Sequence, residues 1–282
     1  MSGGLCPHFP LAYETSGLET IMKDLGLLDP WFEQHHRITW IPIVRNGDGT
    51  LLDSKFGGIP LTTEASSWPA CPRCHKKMTF FFQLNLSTLP AKCPLTPSND
   101  LIQLFYCTNE EDEQSCEFVF VSDFPFSPCA VVRRIAIDSA QSESSFNDRQ
   151  VMDRVRTITG WRALKDYPSP PEHDELGLLW NFSLPEDSLS LECKQLDLII
   201  NDVDIEFAEK KLHKCRTGDK LLGWPNWIQG ADYPKCPICN RMMSFIFQIA
   251  SEENLNFMFG SSGTAYIFAC DTHKSSFAFN WS

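Results

Sequence analysis

The sequence predicts an α+β fold, rich in strands and built as two pseudo-repeated lobes, each stapled by a zinc-ribbon-like pair of knuckles. Three observations predict it. One long phrase occurs twice, 165 positions apart, without a gap. Each copy holds a Cys-x-x-Cys pair at the same place. The apolar residues around them fall in short, Phe-rich runs between Gly and Pro, which is strand punctuation more than helix punctuation.

The first copy of the phrase carries Lys55, Gly58, Pro60, Cys71, Cys74, Met78, Phe80, Phe82 and Gln83. The second carries Lys220, Gly223, Pro225, Cys236, Cys239, Met243, Phe245, Phe247 and Gln248. Trp68 of the first is matched by Tyr233 of the second.

Four segments follow from this reading. They are an N-terminal helical arm (1–36), a first lobe (37–138), connecting loop and helices (139–217), and a second lobe (218–282). In the arm, Ser16 and Glu19 have the form of a capping box. Leu18, Ile21, Met22 and Leu25 then share one helical face, and Gly26 ends it. That stripe, with Trp31 and Phe32 behind Pro30, is expected to dock on the first lobe.

In the first lobe, 38–44 reads as a strand and Asn46-Gly47-Asp48-Gly49 as a turn. Further strands are expected over 79–86, 101–107, 117–121 and 130–137. The serine-rich stretch 139–147 reads as a loop, and 149–158 as a helix with Val151, Val155 and Ile158 inward. Prolines in 167–175 fix φ and remove backbone donors, which disfavours a regular element. A helix is expected over 203–214.

Bulk properties bound the function. A chain of 282 residues buries a substantial core as one large or two medium domains. The net charge of −12 repels phosphate backbones, so nucleic acid is disfavoured and a basic protein partner fits better, with solubility as the plainer account. Met1 to His8 has no basic stretch or long apolar run, so no export signal is read. No segment has the roughly 20 apolar residues that span a bilayer. The twelve cysteines are then expected to remain thiols or bind metal, in the cytoplasm or alternatively the nucleus.

The metal ligands come from the same spacing. Cys71 and Cys74 pair with Cys107 and Cys116, and Cys236 and Cys239 pair with Cys270 and His273. A Cys-x-x-Cys turn presents two donors to one side of an ion, and a second pair following a strand completes a tetrahedron. The strand-like runs are Gln103-Leu-Phe-Tyr106 and Ala265-Tyr-Ile-Phe268. Two structural zinc ions are expected, each closed by four protein ligands with no position left for substrate. Eight residues separate Cys107 from Cys116, and their acidic run Glu110 to Glu113 must bulge outward. Free thiols are the alternative at each site. Cys6, Cys93, Cys129, Cys193 and Cys215 lack a partner pattern and read mostly as apolar fillers. His75 directly follows its knuckle and reads as an exposed knuckle residue, with an alternative ligand as the second reading, while His35, His36, His173 and His213 give no ligand signal.

These phrases resemble the YwqG-like family, whose domain has no known function. Those that carry the resemblance are Ser54-Lys-Phe-Gly-Gly-Ile-Pro60, Phe82-Gln-Leu-Asn-Leu-Ser87 and Trp161 with Asp166-Tyr-Pro168. Gly218 to Pro225, Phe247 to Asn254, and the tail from Met258-Phe-Gly260 to Trp281 continue it. The resemblance covers most of the chain from about Ile38 and implies a mixed α+β, YwqG-like fold with two pseudo-equivalent halves. Many members lack the cysteines, so the metal is not implied by the fold. Members often carry Asp where this chain has Ser261, a departure that bears on any activity using that carboxylate. A looser similarity goes to the programmed cell death protein two family, which shares duplicated Gly-x-Pro and Cys-x-x-Cys phrases. Those proteins escort a ribosomal protein, and the acidic balance here is compatible with that role.

Three functions compete. The favoured one is a non-enzymatic zinc-binding protein, a protein-interaction module or chaperone/adaptor for a basic client, with Trp68, Trp224 and Trp227 lining a cleft or else packing in the core. An enzyme is the second, using Asp123, Asp166, Glu172 and Asp174 if the fold converges them. No P-loop, nucleophile elbow, His-Glu-x-x-His or dinucleotide fingerprint is present. The third is a nucleic-acid binder using Arg73, His75, Lys76, Lys77 and Arg241, a small patch on an acidic chain.

Overall fold

The computed structural model describes residues 23–63, 67–90, 98–109, 116, 124–137, 152, 154–182 and 189–282. Expectations for the capping box, Glu110 to Glu113, the strand over 117–121, the loop over 139–147, and Cys6, Cys93 and Asp123 lie outside these residues. The chain divides into two compact units. One takes the residues up to His36 and Tyr167–Lys214, and the other takes Arg37–Asp166 and Cys215–Ser282.

The larger unit holds strands β1 (Arg37–Asn46), β2 (Lys55–Phe56), β3 (Thr79–Asn85), β4 (Asp100–Tyr106), β5 (Ala130–Ala136) and β6 (Arg156–Asp166). In the smaller unit lie β7 (Leu178–Phe182), β8 (Leu189–Cys193) and β9 (Leu198–Val203). The larger unit resumes with β10 (Lys220–Leu221), β11 (Ser244–Ala250), β12 (Thr264–Ala269) and β13 (Phe277–Trp281). Strand-rich with few helices, the fold agrees with the expected class at that level.

Ten strands form one sheet in the order β13-β12-β11-β10-β1-β6-β2-β3-β4-β5. At its middle, β1 and β6 pair antiparallel from Arg37 opposite Asp166 to Asn46 opposite Arg156. The four strands on each side follow matching rules. Lys55 opposes Gln83 and Phe56 opposes Phe82, just as Lys220 opposes Gln248 and Leu221 opposes Phe247. The register shifts between Phe80 and Phe82 in one pair and between Phe245 and Phe247 in the other. The edge strands β5 and β13 also come close. There the Phe279 N–H donates to the Pro125 carbonyl at 3.0 Å.

Burial on both faces explains the Phe-rich runs. Every residue of β3 is buried, and β4 is buried from Leu101 to Tyr106. Phe56, Phe82 and Phe247 meet Trp40, Ile246 and Phe279 in one large apolar core. Burying a Phe side chain stabilises by roughly 1.5–3 kcal/mol, so this cluster is the main source of cohesion in the unit.

Two expectations are corrected. The helix expected over 149–158 is overturned at its end, because Arg156 to Ile158 belong to β6. Ladder bonds to β1 on one side and β2 on the other outweigh the local helical pattern. Of the arm's expected docking residues, Leu25, Trp31 and Phe32 are described, and their core is not that of the first lobe. Leu25, Leu28, Trp31 and Phe32 share a core with Leu178, Leu191, Val203 and Leu212 of the smaller unit. Helix α1 (Asp29–His35) starts with Pro30 in its first turn, where a missing N–H costs nothing. Helix α2 (Ile205–Leu212) falls inside the expected 203–214, and the Asp204 side chain caps it by accepting from the Phe207 N–H at 2.7 Å.

Candidate metal centres

Each Cys-x-x-Cys pair sits on a tight turn between β2 and β3 or between β10 and β11. In the first, the Cys71 N–H donates to the Lys76 carbonyl at 2.9 Å, and the His75 N–H to the Cys71 carbonyl at 2.9 Å. In the second, the Cys236 N–H donates to Arg241 and the Asn240 N–H to Cys236, both at 2.8 Å. A single positive φ closes each turn, 58° at His75 and 56° at Asn240. Ala70 pairs with Lys77 and Lys235 with Met242 just outside.

The second donor pairs arrive at the ends of β4 and β12. All four expected residues meet at each place: Cys71, Cys74, Cys107 and Cys116 in one, Cys236, Cys239, Cys270 and His273 in the other. Within each group the donor atoms lie within 4.8 Å of one another. Cys71 and Cys116 sulfurs are 3.9 Å apart, and Cys74 and Cys107 sulfurs 3.6 Å. Cys239 and Cys270 sulfurs are 3.7 Å apart, and His273 Nδ1 lies 3.7 Å from Cys236 Sγ and 3.6 Å from Cys270 Sγ. Four donors on a tetrahedron about 2.3 Å from a central ion are spaced about 3.8 Å apart. These distances fit that edge, so both groups could hold a metal ion.

Electrostatics prepares the knuckle sulfurs for a cation. Burial pushes the Cys236 thiol up, but hydrogen bonds from Ser276 and from the Cys239 and Ile238 backbones outweigh it and bring it to about 5. Burial likewise raises Cys71, and the Cys74 and Arg73 backbone N–H groups outweigh it to a net lowering. Cys116 is pushed by burial to about 11. His273 is raised by the neighbouring Cys239 and Cys236 sulfurs. A thiolate is the metal-binding form.

Of the two readings for the tryptophans, Trp224 and Trp227 follow the core one and do not line an open cleft. Both are buried, and Trp227 packs on Tyr233, Tyr266 and Phe268. Trp68 is half-buried and donates its indole N–H to the Met78 carbonyl at 2.7 Å. Cys129, Cys193 and Cys215 are buried. Asp166 is fully buried in the larger unit, while Glu172 and Asp174 lie in the smaller one, the first buried and the second exposed.

The residues that sequence reasoning passed over are the two lysines of the repeated phrase. Lys220 is fully buried and donates to Asp166 Oδ2 at 2.9 Å. The same carboxylate accepts the backbone N–H groups of Arg216 at 2.7 Å and Trp224 at 2.9 Å. Cys215 Sγ lies 3.3 Å from the ammonium. Lys55, equally buried, donates to Asp48 Oδ1 at 2.7 Å and to the Ile59 carbonyl at 2.9 Å. Their shared offset was the available signal, since a lysine held at one place in two copies of a buried phrase needs a fixed acceptor.

These features define a strand-rich protein whose two cysteine-rich groups can hold metal ions, and no helix among the described residues is long and apolar enough to cross a membrane. Its family follows from comparison with known proteins. The family described as Domain of unknown function (DUF1963) matches residues 54–279, and the chain belongs to it. That agrees with the YwqG-like resemblance. No curated protein matches the chain, and the looser similarity to the programmed cell death protein two family is not shown.

Proposed function

We propose that the chain is a non-catalytic zinc protein that acts as a protein-interaction module, a chaperone or adaptor for a basic client. The observation that carries the zinc reading is the tetrahedral spacing of two complete donor sets, one of four cysteines and one of three cysteines and a histidine. Such soft, closed sets suit structural zinc. Cys71, Cys74, Cys107 and Cys116 would hold one ion, and Cys236, Cys239, Cys270 and His273 the other. Bound zinc would cross-link the β2–β3 turn to the end of β4, and the β10–β11 turn to the end of β12. The net charge of −12 supports a basic client.

The matched registers support two pseudo-repeated lobes, each with a zinc-ribbon knuckle pair. On this reading the lobes exchange a strand, since β1 lies beside β10 and β6 beside β2.

Elemental analysis of the purified chain tests the metal, with two equivalents of zinc expected. A titration with a defined basic protein and with a neutral one tests the client class. Preference for the basic protein that weakens with salt and disappears on chelation supports the reading. Turnover of a small molecule with no preference between the two proteins overturns it.

A further inference from the structure

The two copies of the repeat end a cross-strand polar row differently. In the first, Gln83 of β3, Gln103 of β4 and Arg133 of β5 stand opposite one another. Gln103 Nε2 donates to Gln83 Oε1 at 2.8 Å, and Arg133 Nε donates to Gln103 Oε1 at 3.0 Å. In the second, Gln248, Tyr266 and Asn280 hold the matching places. The segments folded over the rows match as well. Gln103 Nε2 also donates to the Leu61 carbonyl at 2.8 Å, and Tyr266 Oη donates at 2.7 Å to the carbonyl of Asn226, which has the offset of Leu61.

The last place of each row meets Ser67 or, at the same offset, Asp232. Asn280 is neutral and donates to the Asp232 carboxylate at 3.2 Å. Arg133 is a cation, and its Nη1 donates to the Ser67 backbone carbonyl at 2.7 Å. The copy with the charge therefore lacks the acid. Among the described residues no carboxylate pairs with Arg133, and Asp100 on the neighbouring strand is held by Arg134 Nε at 2.6 Å. Arg133 Nη2 is buried and has no hydrogen-bond partner. The guanidinium carbon lies 4.7 Å from the centre of the Phe105 ring, and a ring face offsets only part of a charge. Burial pushes the group down to about 10, so it is still a cation at neutral pH. A cation withdrawn from water without a counter-charge is costly to hold.

We propose that Arg133 is an anion site that takes the carboxylate of a small organic acid, in the place where the second copy carries the Asp232 side chain. A planar guanidinium matches the two oxygens of a carboxylate. The approach lies beside Ser67, which is exposed and whose bond to Nη1 is at the surface. Trp68 follows Ser67, is half-buried and sets its ring 5.3 Å from that of Phe105. The site thus places an aromatic wall beside the cation, which suits the carbon skeleton of an organic acid. None of these residues is a metal donor, so the site stands apart from the zinc and client readings.

The test follows urea unfolding of the full chain in rising sodium acetate, against sodium chloride at the same ionic strength and with metal content held constant. A ligand that binds only the folded chain raises the midpoint with its concentration. Acetate is expected to raise it and to saturate, and chloride is not. Arg133→Gln should weaken the apparent acetate affinity at least about tenfold. Ser67→Asp builds in the carboxylate of the second copy and should abolish the response to acetate. If Arg133→Gln does not fold, Ser67→Asp decides alone. A parent chain that answers acetate and chloride alike, or a Ser67→Asp or Arg133→Gln variant that answers acetate as the parent does, overturns the proposal.

Discussion

The rings of Phe82 and Phe247 lie 4.3 Å apart, centroid to centroid. They occupy the same position in the two copies of the repeated phrase, so the copies meet through equivalent residues. Phe56 joins them at 5.1 Å from Phe82 and 6.0 Å from Phe247, and Trp161 touches Phe247 edge-on. Contact between like elements is the mark of an isologous interface in dimers, here inside one chain.

Truncating either ring should therefore weaken the shared core of the large sheet. Phe82→Ala and Phe247→Ala are each expected to cost about 3–5 kcal/mol, measured by urea unfolding. A double-mutant cycle should give a coupling of about 0.5–1.5 kcal/mol. Strictly additive losses would show that the two rings do not support each other.

The metal groups should empty one at a time. Cys74→Ser is expected to remove one equivalent of metal and Cys239→Ser the other, read by elemental analysis. Trp227 shares a small apolar cluster with Cys236 and Cys270. Its fluorescence should change in Cys239→Ser and hold in Cys74→Ser. Loss of both equivalents from either variant would contradict independent sites.

Lys220→Met leaves Asp166 buried and still charged, without its ammonium partner. The expected cost is about 3–5 kcal/mol, seen as a lower urea midpoint. Adding Asp166→Asn should recover part of it, because an amide needs no counter-charge. A Lys220→Met variant as stable as the parent would mean that the ammonium is dispensable.

Acid should weaken the smaller unit through His173. Burial pushes its imidazole from 6.5 down to about 4, against the pull of the Pro168 carbonyl, while His213 and His35 push the same way. The ring accepts the Trp180 indole N–H at 3.1 Å. Below pH 6.5 the unfolded chain binds a proton here that the folded chain refuses. Stability is therefore complete above pH 6.5, falls as pH drops towards 4 and levels off beneath it, a loss of about 3 kcal/mol. His173→Gln should flatten that slope in stability measured across pH 4–7. An unchanged slope would place the dependence elsewhere.

The two cysteine-rich groups were legible because each Cys-x-x-Cys pair is local and each second pair begins just after a strand. Strand β6 was hidden. Arg156-Thr-Ile-Thr-Gly-Trp-Arg-Ala-Leu-Lys-Asp166 has no clean alternation, and its place comes from ladders on both sides. The sheet of β7, β8 and β9 was missed because its strands are short and lie among turns and polar residues. Lys220 and Asp166 are 54 positions apart, and nothing local announces their pairing. The tryptophans left cleft and core both open for a related reason. Gly-Pro punctuation marks a turn, and burial of Trp224 depends on what folds back over it, including the Arg37 guanidinium 3.3 Å from its ring.

The central place of β1 and β6 in the ten-stranded sheet has a consequence for biosynthesis. While the chain emerges from the ribosome, β2 has an open flank until β6 is made, and β1 lacks its second neighbour until Leu221 appears. Neither half can seal its backbone in that interval. Unsealed strand edges invite pairing with other nascent chains, so correct maturation depends on completing translation before the first half finds a foreign edge.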